Sequence, residues 1–111
     1  MGSKQSQISV RLPDILVSEL DTRCLQEENA GGSADRQELI QFFVDRHIQN
    51  PPPFRKPSSI LTLRHPLNNI LTLTLNTDSL EYLKSEAESH GITPSSMIRL
   101  CIYEGLHGNE E

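Results

Sequence analysis

Polar and apolar positions alternate over residues 7–13, with Ile8, Val10 and Leu12 on one side and Gln7, Ser9 and Arg11 on the other. Alternation at period two predicts a strand with one buried face. Pro13 ends it, because proline cannot donate to a ladder, and Asp14 suits the first turn of a helix. The period then lengthens. Leu16, Val17, Leu20, Cys24 and Leu25 recur at steps of three and four through about Glu28, which predicts a helix with one inward stripe. Residues 29–32 make the turn, with glycine supplying the backbone freedom of a helix C-terminus. A second helix opens at Ser33 or Asp35. Asp35 and Glu38 have capping-box spacing, and Leu39, Ile40, Phe43, Val44, His47 and Ile48 follow at helical intervals until the prolines at 51–53.

The same order returns further along. Leu71, Leu73 and Leu75 alternate with Thr72 and Thr74, a β-favouring run. Thr77 or Asp78 caps a helix that carries Leu80, Leu83 and Ala87 and ends at His90 and Gly91. Thr93 followed by Pro94 is an N-cap with proline at the first helical position, and this last helix buries Met97, Ile98, Cys101, Ile102 and Leu106. Residues 1–50 and 70–111 are therefore two strand-helix-helix units, an internal repeat of elements with little residue identity. Residues 51–69 join them as a proline-rich extended linker. Within it Ile60, Leu61, Thr62 and Leu63 match residues 70–73 one for one, so a short added strand at 60–63 is a second reading of that stretch.

A lone unit leaves its strand unpaired and its helix stripes uncovered. Two units solve this together: the strands pair as a two-stranded antiparallel ribbon and four helices stand behind it around one shared core. The expectation is a mostly helical α+β fold. The outer ribbon face then carries Gln7, Ser9 and Arg11 from one unit and Ile70, Thr72 and Thr74 from the other.

Composition narrows the function. The 111 residues fit one domain, and with 35% hydrophobic residues, 5% aromatic and no Trp, the core is built from Leu, Ile and Val. Such a core has no room for a deep pocket. No nucleophile is gathered with a base and no glycine-rich phosphate loop occurs, so neither an enzyme nor a cofactor is expected. His47, His65, His90 and His107, with Cys24 and Cys101, lack metal-ligand spacing, and both cysteines read as reduced core residues. No apolar run approaches the roughly 18 residues of a membrane span and the N-terminal residues are polar, which points to a cytoplasmic protein. The formal net charge is −5, distributed as −3 over residues 1–50, +3 over 51–69 and −5 over 70–111. The basic island holds Arg55, Lys56 and Arg64.

The stretch Gln7, Ile8, Ser9, Val10, Arg11, Leu12, Pro13, with its strand ending in proline, resembles the ribbon-helix-helix family of the Arc and methionine repressor type. Residues 91–99, Gly-Ile-Thr-Pro-Ser-Ser-Met-Ile-Arg, look like that family's turn into its second helix. The resemblance covers about 80 residues, and two units in one chain are similar to the origin-of-transfer binding proteins of conjugative plasmids. It implies a tandem pseudo-dimer that binds double-stranded DNA without chemistry, as a transcriptional repressor or plasmid transfer factor in a prokaryotic, plasmid or phage setting. On it, Gln7, Ser9, Arg11, Thr72 and Thr74 are the base-contacting residues in the major groove. Ser33, Thr93, Ser95 and Ser96 at the helix starts, with Arg55 and Lys56, are the phosphate contacts. Two departures follow from the residues themselves. The second strand offers no charged or amide group apart from Asn69 and Asn76 at its ends, so the two halves would read DNA unequally; and Asp35 would repel a phosphate at its helix start. Self-association of the pseudo-dimers is a further expectation. The rival is a module of the same fold that has lost DNA and binds a protein, in an antitoxin-like or assembly role, which the acidic balance favours.

Overall fold

The computed structural model describes residues 4–29 and 35–107. Strand β1 spans Gln5–Leu12, followed by helices α1 (Asp14–Asn29) and α2 (Arg36–Gln49). Two short 3-10 turns, Pro57–Ser59 and Leu61–Arg64, lie in the connection. Then come strand β2 (Asn69–Asn76) and helices α3 (Thr77–His90) and α4 (Pro94–His107). The two strands pair antiparallel, with Gln5 opposite Asn76 and Leu12 opposite Asn69, and among the described residues they form the whole sheet. The fold is thus α+β, mostly helical, with four helices packed behind a two-stranded ribbon.

Local chemistry accounts for the boundaries. Pro13 hands its carbonyl to the Leu16 and Val17 amides at the start of α1, at 3.1 and 3.3 Å. The Asp35 carboxylate accepts from the Glu38 amide at 2.8 Å, and Thr93 Oγ1 accepts from the Ser96 amide at 3.1 Å, so both second helices are side-chain capped as their spacing predicts. Helix α3 closes on Gly91 at φ 71°, with the Ile92 amide reaching back to the Ala87 carbonyl at 2.9 Å. A side chain disfavours that left-handed backbone, which is why glycine stands there. At the start of α3 the expected cap is corrected. Asn76 occupies the cap position without a side-chain bond, while Thr77 is already helical and its hydroxyl hydrogen-bonds with Ser6 Oγ at 2.9 Å.

The inward strand residues Val10, Leu12, Leu73 and Leu75 are buried against Leu16 and Leu20 of α1, Ile40 and Val44 of α2, Leu83 of α3 and Ile98 and Ile102 of α4. Helices α2 and α4 cross where a Cβ on Gly105 would fall on the Phe43 ring, so the missing side chain sets their closeness. Leu25, expected in the α1 stripe, is 59% exposed, because it lies one step round the helix from Cys24 and turns away from the core. The added strand at 60–63 is also corrected: these residues enter a 3-10 turn, and Ile60 and Leu63 are buried core residues. The linker is therefore tied down, not merely extended.

Candidate nucleic-acid interface

The outward face of the ribbon is built by the pleat alone. On β1 it displays Gln5, Gln7, Ser9 and Arg11, all exposed; on β2 it displays Ile70 and Thr72, exposed, then Thr74 and Asn76, half-buried. Register sets Gln7 beside Thr74, Ser9 beside Thr72 and Arg11 beside Ile70. Five sequence-predicted residues, Gln7, Ser9, Arg11, Thr72 and Thr74, thus share one face, with Thr74 the most withdrawn.

One end of each strand's free edge is bonded by a helix from the other half of the chain. On β2, the Gln37 side chain of α2 accepts from the Thr74 amide at 2.8 Å and donates to the Thr74 carbonyl, while Gln41 Oε1 accepts from the Asn76 amide at 3.1 Å. On β1, Arg99 of α4 donates from Nη1 to the Arg11 carbonyl at 2.8 Å. These bonds satisfy backbone groups that would otherwise invite a third strand. Gln37, Gln41 and Arg99 were not among the expected site residues. The readable signals were two amides at i and i+4 beside a core stripe, and one cation interrupting the apolar run from Met97 to Ile102.

The crossing decides what stands beside each strand. The start of α4, flanking β1, has no acidic residue in its first turn. There Thr93 Oγ1 donates to Ser96 Oγ at 3.0 Å and Ser96 Oγ accepts from Arg99 Nη2 at 2.9 Å, with Ser95 half-buried alongside. Arg99 is 91% buried, and burial lowers its pKa from the usual arginine range. The start of α2, flanking β2, carries Asp35 and Glu38. Ser33 lies outside the described residues. Phe54 stacks on His90 with ring centroids 3.7 Å apart, and this brings the exposed Arg55 and Lys56 to the turn between α3 and α4.

A second polar cluster lies among the helices. His47 is buried, with Nε2 2.8 Å from Glu86 Oε1 on α3 and Nδ1 3.4 Å from Glu104 Oε1 on α4. Burial opposes its charge, yet Cys101, Glu104 and Glu86 around it raise its pKa to about 11, so the ring is an imidazolium at neutral pH. Burial in turn pushes the Cys101 thiol up. A shallow cavity of about 210 Å³ borders this cluster, lined also by Phe43, Arg46 and Gly105. Among the described residues no group of His, Cys, Asp and Glu is arranged to hold a metal ion, and no helix is long and apolar enough to cross a membrane. No family model, curated protein or solved structure gives a match to this chain.

Proposed function

We propose that this protein is a double-stranded DNA-binding protein of the ribbon-helix-helix kind, two units in one chain forming a pseudo-dimer that lays its ribbon in the major groove. The observation that carries the reading is the outer ribbon face: Gln7, Ser9 and Arg11 project from β1 into solvent on a strand pair held rigid from behind by four helices. A two-stranded ribbon fits the major groove, glutamine matches the adenine edge and arginine the guanine edge. Thr72, and Thr74 to a lesser extent, assist from β2. The start of α4, with Thr93, Ser95 and Ser96, and the basic pair Arg55 and Lys56 fix register on phosphates. The role that follows is a repressor or a transfer accessory factor, working by occupancy of its site.

The −5 charge favours one competitor, a protein-binding module that keeps the fold without DNA. Selection of bound duplexes from a random-sequence pool at moderate salt separates them. Wild type is expected to enrich a motif, and Arg11→Ala to lose one base preference within it together with roughly 10- to 100-fold in affinity, the scale of a bidentate base contact. Arg11 is exposed and its carbonyl bond to Arg99 survives the substitution, so the variant should keep its fold. Absence of any enriched motif with wild type would defeat the DNA reading and leave the protein-binding module.

A further inference from the structure

Alignment of Asp14 with Thr77, the first residues of α1 and α3, makes Gln7 equivalent to Ile70, Ser9 to Thr72 and Arg11 to Thr74. Ser9 and Thr72 are also directly paired, so the local two-fold of the ribbon backbone passes between them. Across that axis a symmetric backbone carries unlike groups. One half presents an amide and a guanidinium; the other presents a 61% exposed isoleucine and a threonine. An exposed β-branched apolar residue opposite Arg11, at one end of an otherwise polar face, is the feature that a symmetric reader would not show.

The flanks differ in the same sense. Because Arg99 of α4 bonds the Arg11 carbonyl and Gln37 of α2 the Thr74 backbone, the acid-free helix start lies at the Arg11/Ile70 end of the ribbon, whereas Asp35 and Glu38 lie at the Gln7/Thr74 end. Had each helix docked on the strand of its own half, Asp35 would stand beside Arg11 and the two differences would offset each other. Instead they add.

Resting on the reading of the ribbon as a major-groove reader, we infer that its target is a non-palindromic duplex. The half under the Arg11/Ile70 end is read at a guanine edge by Arg11 and through a thymine methyl packed on the Ile70 side chain, and it is held on phosphate. The half under the Gln7/Thr74 end is read at an adenine edge by Gln7, with Asp35 and Glu38 keeping phosphate at a distance. Apolar contact with the thymine methyl is the one major-groove signal an aliphatic side chain can detect.

The test is duplex selection with wild type, with Ile70→Gln/Thr74→Arg, which copies the β1 groups onto β2, and with Ile70→Gln alone, a change at an exposed position that spares the half-buried Thr74. Wild type is expected to yield a motif without inverted-repeat symmetry, the double variant an inverted repeat, and the single variant a change confined to one half. Replacing thymine by deoxyuridine in the half of the selected duplex under Ile70, which removes only the methyl, is expected to weaken wild-type binding several-fold and to have little effect on Ile70→Gln. A palindromic wild-type motif, or equal sensitivity of both halves to deoxyuridine, overturns the inference and leaves DNA binding standing. No enriched motif with wild type overturns both.

Discussion

His47 is held between the carboxylates of Glu86 and Glu104, on two different helices, and the three together tie α2 to α3 and α4. An imidazole that is free in the unfolded chain titrates near about 6.5. In the fold its pKa is about 11, because Cys101, Glu104 and Glu86 outweigh the burial that opposes its charge. The sign follows from linkage: the folded state binds the proton more tightly, so the stabilisation is complete below about pH 6.5 and declines as pH rises toward the folded value. Stability is expected to fall across pH 7 to 10 with a slope approaching about 1.4 kcal/mol per pH unit for one proton. Urea denaturation at a series of pH values reads this directly. His47→Gln should be less stable at neutral pH and flatter over the same window; an equally steep profile in the variant would assign the proton to another group. The residue was legible as a core position from its helical spacing. Its charge was not, since Glu86 and Glu104 are brought to it only by tertiary packing.

At the scale of elements, the crossing of α2 and α4 depends on an absent side chain. Gly105 sits where a Cβ would meet the Phe43 ring, and Phe43 is itself buried. Gly105→Ala gains helix propensity, worth up to about 1 kcal/mol, but forces the ring or the helix to move. Overpacking of this kind costs about 1 to 3 kcal/mol, so a net loss of stability is expected. Phe43→Leu in the same chain should recover part of it, and a double-mutant cycle by chemical denaturation measures the coupling. Additive effects of the two substitutions would show that the added methyl group does not meet the Phe43 ring. The strands and helices were readable from period, and the caps of both second helices from Asp35 with Glu38 and from Thr93 followed by Pro94, whereas the cap of α3 was not. Residues 60–63 and 70–73 show where such reading stops. The same four residues, Ile-Leu-Thr-Leu, open a 3-10 turn in one place and run within β2 in the other. Only the second copy finds a strand partner, in β1, and the first lies between Pro57 and Pro66. The docking of each second helix on the opposite strand was likewise invisible, because it is a choice among tertiary partners that no local pattern records.

For the whole molecule, the charge is acidic while the proposed ligand is a polyanion, and the distribution resolves the tension. The carboxylates of Asp35 and Glu38 stand at the β2 flank, whereas Arg55 and Lys56 are exposed beside the turn into α4, on a linker anchored by Ile60 and Leu63 in the core and by Phe54 on His90. Few phosphates are then neutralised, and association gains little long-range steering. The logarithm of duplex affinity should fall with the logarithm of salt concentration at a shallow slope, each neutralised phosphate contributing about −0.9. Arg55→Ala/Lys56→Ala should make that slope shallower by about 2 while leaving the selected motif unchanged, since phosphate contacts hold the protein in place and base contacts choose the sequence. Anisotropy titrations of one selected duplex across a range of salt concentrations measure it. A slope unchanged by the double substitution would remove the linker from the interface and confine the phosphate contacts to the start of α4.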